Sequence, residues 1–244
     1  MTAQRPQPTP GAKMMYLIKR RATTTREELI AHWFANHMPG VIARQDQSRA
    51  AGKLHATRYV ATLFDPRGDK PLAWDGVAQL WYDTALPHPD KPHGEPPRDT
   101  FQEKVEPYWP WATREYVAID GALPLNPPTL NAPFPCTRSG FCKATFLVSL
   151  KQGVEIGALF DHWLDTHLPN VRESMQATGG LRYVVSHSLD PETAPYAGMA
   201  ELYFPDADGW TAFNTHVKPD GMENFAELKG MGLFFSGTEM VGIS

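Results

Sequence analysis

The feature that most constrains this chain is an internal repeat. His32-Trp33-Phe34-Ala35-Asn36-His37-Met38-Pro39-Gly40-Val41 matches His162-Trp163-Leu164-Asp165-Thr166-His167-Leu168-Pro169-Asn170-Val171, with five of ten positions identical and an offset of 162 − 32 = 130. Agreement that includes Trp, Pro and two His is not a chance event. The match runs back to Lys13–Ile18 over Lys143–Val148 at the same offset. It continues in Arg58-Tyr59-Val60 over Arg182-Tyr183-Val184, Ala78–Tyr82 over Ala200–Phe204, and Glu115-Tyr116-Val117 over Glu239-Met240-Val241. A repeat of this length is a structural unit used twice.

Each unit reads as strand, helix, strand, strand, helix, strand. The first has strands near 13–20, 55–64, 74–82 and 113–120, with helices near 25–37, running toward the forties, and 99–112. The second has strands at 143–150, 181–189, 197–204 and 237–243, with helices at 154–174 and 208–230, the latter broken at Pro219-Asp220-Gly221. Thr25 with Glu28 three residues on forms a capping box. Leu29, Ile30, Trp33 and Phe34, like Ile156, Leu159, Phe160 and Trp163, form one apolar helical stripe. This βαββαβ order is the split ferredoxin-like motif. The fold class expected is α+β. Two tandem ferredoxin-like units, 1–120 and 140–244, pair as an intramolecular dimeric α+β barrel, with a Pro-rich linker at 121–139.

Composition bears on partners. The formal charge is −4, which provides no basic footprint for nucleic acid. No apolar run reaches the roughly 20 residues that span a bilayer, so no membrane partner is expected. Met1–Gly11 reads as a loose polar leader, and the cytoplasm is the expected compartment. The two cysteines, Cys136 and Cys142, lack metal-site spacing. No phosphate loop, nucleophile elbow or flavin fingerprint occurs, and neither metal nor cofactor is expected.

The motif Thr/Ser-x-x-Glu-x-x-x-x-Trp-x-x-x-His-x-Pro, carried by Glu28, Trp33, His37 and Pro39 and again by Trp163, His167 and Pro169, resembles the EthD-like group of dimeric α+β barrel proteins. The resemblance covers nearly the whole chain, once per half. It implies chemistry on small molecules. Relatives of this barrel include isomerases, cyclases, decarboxylases, dehydratases and cofactor-free monooxygenases, several from the degradation of aromatic compounds. The chain is also similar to cis–trans isomerases of ring-fission products of lignin-derived aromatics.

Strand alternation divides the candidate residues between faces. Tyr59, Ala61 and Leu63, matched to Tyr183, Val185 and Leu189, should meet the helices, as should Ala78, Leu80 and Tyr82. The opposite, mixed face then meets the cavity. It offers Lys19, Arg58, Gln79 and Trp81 in one half and Arg182, Glu201 and Tyr203 in the other. Glu201 beside an arginine would be a general base next to a carboxylate-binding group; alternatively the arginines end in solvent, paired to surface acids. His37 and His167 would either cap helix C-termini before Pro or move a proton at the cavity rim. His32 and His37 are about 140° apart on a helix, which does not suit one metal ion. His216 would line a cavity mouth, and the one-sided insertion Leu86–Arg98 is a lid or a solvated loop. The function expected is a cofactor-independent isomerase acting on a small carboxylated substrate, with oxygenase, decarboxylase, dehydratase or plain binding protein as alternatives. A homodimer of the two-unit chain is the expected assembly.

Overall fold

Short helices and strands follow one another in a computed structural model that describes residues 5–66, 68, 71–123 and 136–244, excepting the side chains of 228–231. In chain order the first half holds β1 (Ala12–Ile18), α1 (Arg26–His32), a π-turn (Trp33–His37), α2 (Met38–Ala50), β2 (Arg58–Leu63), β3 (Gly76–Tyr82), α3 (Thr100–Lys104) and β4 (Trp111–Asp120). The second holds β5 (Cys136–Leu150), α4 (Ile156–His162), a second π-turn (Trp163–His167), α5 (Leu168–Ala177), β6 (Arg182–Ser188), β7 (Gly198–Phe204), α6 (Ala207–His216), a 3₁₀ turn (Met222–Asn224) and β8 (Ala226–Ile243). The fold is α+β with antiparallel strand pairing. Among the described residues no helix is long and apolar enough to cross a membrane.

The capping box at α1 forms as expected: Glu28 N–H donates to Thr25 Oγ1 at 3.1 Å, and Thr25 N–H donates to Glu28 Oε2 at 2.9 Å. The helix does not end at His37. Met38 N–H donates to Trp33 O, five residues back, and Leu168 N–H does the same to Trp163 O. The expectation that His37 and His167 terminate helices is therefore corrected, because the chain passes through a π-turn and continues. A widened turn accommodates Pro39 and Pro169, which have no N–H to donate and whose rings crowd the carbonyl four residues back in a regular helix.

Two other boundaries move for identifiable reasons. The helix expected at 99–112 stops at Lys104, because Pro107 and Pro110 follow and β4 begins at Trp111. The helix expected at 208–230 stops at His216. Pro219 and a left-handed Gly221 (φ 88°) end it, and β8 already begins at Ala226. Of the expected linker, 124–135 lies outside the described residues, while Cys136–Ser139 belong to β5.

The chain divides into two compact units that cut across the sequence repeats. The first unit comprises Gly11–Ala112, Pro124–Ser139 and Thr238–Ser244; the second comprises Met1–Pro10, Thr113–Leu123 and Gly140–Gly237. In the first, β3 lies between β1 and β2, and the end of β8 pairs with β2 (Ala61 opposite Met240). In the second, β7 lies between β5 and β6, and β4 pairs with β6 (Val117 opposite Val184). The final strand of each repeat thus belongs to the compact unit of the other.

Each unit packs its helices on one sheet face around a fully buried tryptophan, Trp33 or Trp163. The strand beneath carries glycine for that reason. A Cβ at Gly76 would lie 2.9 Å from the Trp33 ring and 2.4 Å from Thr62 O, and at Gly198 it would lie 3.0 Å from Trp163 and 2.5 Å from Ser186 O. The helix-facing position opposite Leu63 in the repeat is His187, at an offset of 187 − 63 = 124, and not Leu189, which is exposed beyond the strand end. His187 stacks on Phe160 at 4.1 Å and its Nε2 has no hydrogen-bond partner.

Burial, reinforced by the charges of Arg5 and Arg114, pushes the His187 imidazole down to about 3. The unfolded chain holds a proton there below about pH 6.5, so the folded state loses stability as pH falls from that value toward 3. Substituting His187→Leu, the residue the first repeat uses, should flatten thermal stability between pH 6.5 and 4. An unchanged pH slope would show that His187 does not carry it.

Candidate active site

Each unit contains a cavity between its helices and its sheet, and the π-turn histidine lines both. The first measures about 510 Å³. Tyr16, Tyr59, Tyr82 and Tyr108 supply aromatic wall, His37, Asp99, Arg44 and Arg98 the charge, and Leu86, Pro87, Pro89 and His93 of the insertion one side. The insertion is therefore cavity wall and not merely solvated loop. The second measures about 340 Å³, within the range of small-molecule sites, and is lined by Trp163, His167, Tyr183, Leu202, Trp210, Phe213 and Asp220, with others.

The histidines are held alike. His37 Nδ1 lies 2.6 Å from Asp99 Oδ2. His167 Nδ1 lies 2.8 Å from Asp220 Oδ2. An ionised carboxylate only accepts, so Nδ1 carries the hydrogen and Nε2 is left with a lone pair when the ring is neutral. Burial pushes the Asp99 carboxyl up, but hydrogen bonds from His37 and the Gln102 N–H, with the charges of His37 and Arg44, outweigh it and leave it below its ordinary value. Asp220 is also pushed up by burial. Hydrogen bonds from His167 and from Asn170 Nδ2 (2.7 Å), with the charge of His167 and the Met222 N–H, bring its net shift strongly down. Both acids thus stay ionised beside their histidines. In the first cavity burial raises the Tyr108 phenol to about 12, and raises those of Tyr16 and Tyr59 further, so all three remain hydrogen-bond donors. His93 is pushed down by burial and by Arg98 and His37.

The residues singled out on the other sheet face lie apart from these cavities. Ala200 and Leu202 line the second cavity, and alternation sends Glu201 to the opposite face. There Glu201 Oε1 meets Lys143 Nζ at 2.6 Å, with both side chains buried. Lys143 also lies 5.0 Å from the centre of the Tyr203 ring. Arg182 Nη1 pairs with Asp120 Oδ1 at 3.0 Å, the surface-acid arrangement weighed for it from sequence. In the first unit Arg58 and Lys13 stand over the Trp81 ring at 4.5 and 5.1 Å, and Gln79 is buried beside Met15 in register. Lys19 Nζ donates to Leu72 O. His216, at the exposed end of α6, is not among the lining residues, contrary to expectation, because the chain turns away at Val217 and presents Lys218 and Asp220 instead. The structure thus brings Glu201, Tyr203 and Lys143 together, and does not join them to His167.

Sequence reasoning missed Asp99, Asp220, Arg44 and Arg98. A signal for the acids existed: their separation, 220 − 99 = 121, fits the drift of the repeat from 130 to 122. Asp99 also precedes a helix start as an N-cap, accepting from Gln102 N–H at 2.9 Å.

With this geometry in hand, the chain can be set beside known proteins. Residues 151–229, most of the second repeat, match the family model for the EthD domain. No curated protein sequence matches the chain. Among solved structures, an anthrone oxidase-like protein shares the fold over 97% of this chain and 95% of its own, with 11% identity and a TM-score of 0.53. A chlorite dismutase variant from Candidatus Nitrospira defluvii (5% identity, 93% and 91% covered) and a heme-binding protein from Thermus thermophilus (10%, 99% and 95%) reach TM-scores of 0.49 and 0.40. At those scores the last two bear on neither chemistry nor cofactor.

Removing one member of a buried ion pair takes a countercharge from the other. Glu201→Gln should cost about 3–5 kcal/mol in denaturant unfolding, and the double substitution Lys143→Met with Glu201→Leu should recover most of it. Equal losses in single and double variants would mean that the pair is not what sustains this face.

Proposed function

We propose that the chain is a cofactor-independent isomerase that moves a proton along a small carboxylated dienoate, of the kind formed when an aromatic ring is opened, with the first cavity as its active site. The observation that carries this reading is the His37–Asp99 pair facing a cavity that also presents Arg44 and Arg98. Asp99 holds the Nδ1–H tautomer, and Nε2 takes a proton from the carbon next to the conjugated system. The resulting extended enolate places negative charge on the carboxyl end, where guanidinium groups bind it in forked geometry. The same Nε2–H returns the proton at the far carbon. One C–H bond breaks and another forms, with no net oxidation. The tyrosine walls provide planar packing surface for an unsaturated substrate. The two sequence repeats are, in this reading, tandem ferredoxin-like units of which the first carries the reaction.

The competing arrangement takes Glu201 as base, with Arg58, Arg182, Tyr203, Trp81, Gln79 and Lys19 as substrate contacts. The two are separated by ultraviolet absorbance of dienoates incubated with purified variants. His37→Gln should lower turnover by about two orders of magnitude or more, the usual scale for losing a general acid–base group. Asp99→Asn should lower turnover less, and Arg44→Ala should raise KM. Full activity in His37→Gln, with loss in a still-folded Glu201→Gln, would transfer the reaction to the other sheet face. Oxygen uptake accompanying turnover would replace the isomerase by an oxygenase.

A further inference from the structure

The second cavity keeps the histidine–aspartate pair and loses most of the other polar wall. At the repeat offset of 130, Tyr16 corresponds to Phe146, Arg44 to Ser174 and Gln45 to Met175, and at 122 Tyr82 corresponds to Phe204. The insertion that brings His93 and Arg98 has no equivalent. Among the described residues, no arginine lines this cavity. Phe146, Trp210 and Phe213 give it an aromatic wall, with the Trp210 ring centre 6.0 Å from that of Phe146 and 5.7 Å from that of Phe213.

The polar groups of the lining fall into three kinds. The Tyr183 hydroxyl and the Trp163 indole nitrogen are turned to each other and sealed from the cavity. Asn214, Lys218 and Glu223 are exposed at the rim. His167 belongs to neither group. Asp220 holds its Nδ1 at 2.8 Å, and the ring makes no other hydrogen bond among the described residues. The Nε2 atoms of His162 and His187 are shut in by packing, whereas that of His167 is not. Since His167 is part of the lining, its Nε2 is an accessible acceptor when the ring is neutral. The ionised Asp220 behind the ring repels an anion, and a carbonyl brings no hydrogen to Nε2. An aromatic hydroxyl brings one, on a flat body that suits the aromatic wall.

We infer that the second unit holds a separate binding site for a neutral aromatic alcohol of the phenol class, whose hydroxyl donates to His167 Nε2 while its ring lies against Phe146, Trp210 and Phe213. The site is independent of the first cavity's reaction. The probes are 2-naphthol and 2-methoxynaphthalene, alike in their ring system and differing in the hydroxyl hydrogen, titrated into the full chain by calorimetry. 2-Naphthol should bind about fivefold to tenfold more tightly than the ether, the scale of one hydrogen bond. That preference should persist in His37→Phe, which removes the corresponding acceptor of the first cavity, and vanish in His167→Phe, which keeps a ring in place. Ala200→Leu, which fills the wall of the second cavity, should abolish the preference as well. In the unsubstituted chain, nitrogen NMR of the imidazoles should show the His167 Nε2 resonance moving with 2-naphthol and staying still with the ether, a readout that holds even where a variant fails to fold. Equal binding of the two probes, a preference lost in His37→Phe and kept in His167→Phe, an unmoved His167 Nε2 resonance, or no saturable binding of 2-naphthol would each overturn the assignment.

Discussion

One hydrogen bond, made twice, organises both candidate sites: the N–H of Met38 to the carbonyl of Trp33, and that of Leu168 to Trp163. An i→i−5 bond admits one extra residue to the turn and changes the helix phase after it. Before the bulge, the tryptophan points into the core, against a strand glycine that leaves room for its ring. At its end the histidine meets the carboxylate that orients it. Were the segment a regular helix, the following proline would lack its ladder bond and crowd the previous turn, at a cost of about 3 kcal/mol. The bulge thus allows three requirements to be met within seven residues: core anchor, oriented histidine and helix continuation.

Much of this was legible in the sequence, and what escaped at the candidate sites was of one kind. The repeat, the capping box at Thr25, the buried tryptophans and the two histidines follow from spacing and local chemistry. The position of the cavity does not. Strand alternation separates a mixed face from an apolar one, and the natural inference sends ligands to the mixed face. Yet Glu201 has a buried cation in Lys143, and an apolar face can either be packed shut or line a cavity, depending on how far the helices stand off. That distance is set by tertiary contacts such as Phe101 against His37, at 4.4 Å between ring centres, in the first unit. No local pattern encodes it. The same blindness explains Arg98 and His93. They sit in a proline-rich insertion whose composition suits a lid or a solvated loop equally, and only the folded chain path shows that it forms a wall.

Duplication explains why two cavities exist, but their divergence is not uniform drift. The floor is retained almost residue for residue: Tyr59 and Tyr183, Trp33 and Trp163, Ala78 and Ala200, Leu80 and Leu202. The rim and the upper wall differ: Arg44 stands where the other repeat has Ser174, and the insertion belongs to one side only. A floor is constrained by the close-packed core beneath it, where a lost methylene is felt. A wall faces only solvent or ligand, so its residues record what the cavity holds. The first cavity is the larger and carries Arg44 and Arg98, while the second is smaller and has no arginine among its described lining residues.

The acids beside the histidines test whether the shared dyad belongs to the fold or to chemistry. Asp99 caps α3 and Asp220 accepts from the N–H of Met222 at a 3₁₀ turn. Either backbone task could be done by Ser, Thr or Asn at comparable stability. Neither turn resembles the other in length or type, so local structure does not impose the same residue on both. What only an acid supplies is a fixed negative charge at a ring nitrogen. That charge sets the tautomer, with the hydrogen on Nδ1 and the lone pair on Nε2 of the neutral ring. A capping role alone therefore leaves the recurrence of aspartate unexplained, whereas holding the neighbouring histidine in one tautomer calls for an acid in each unit.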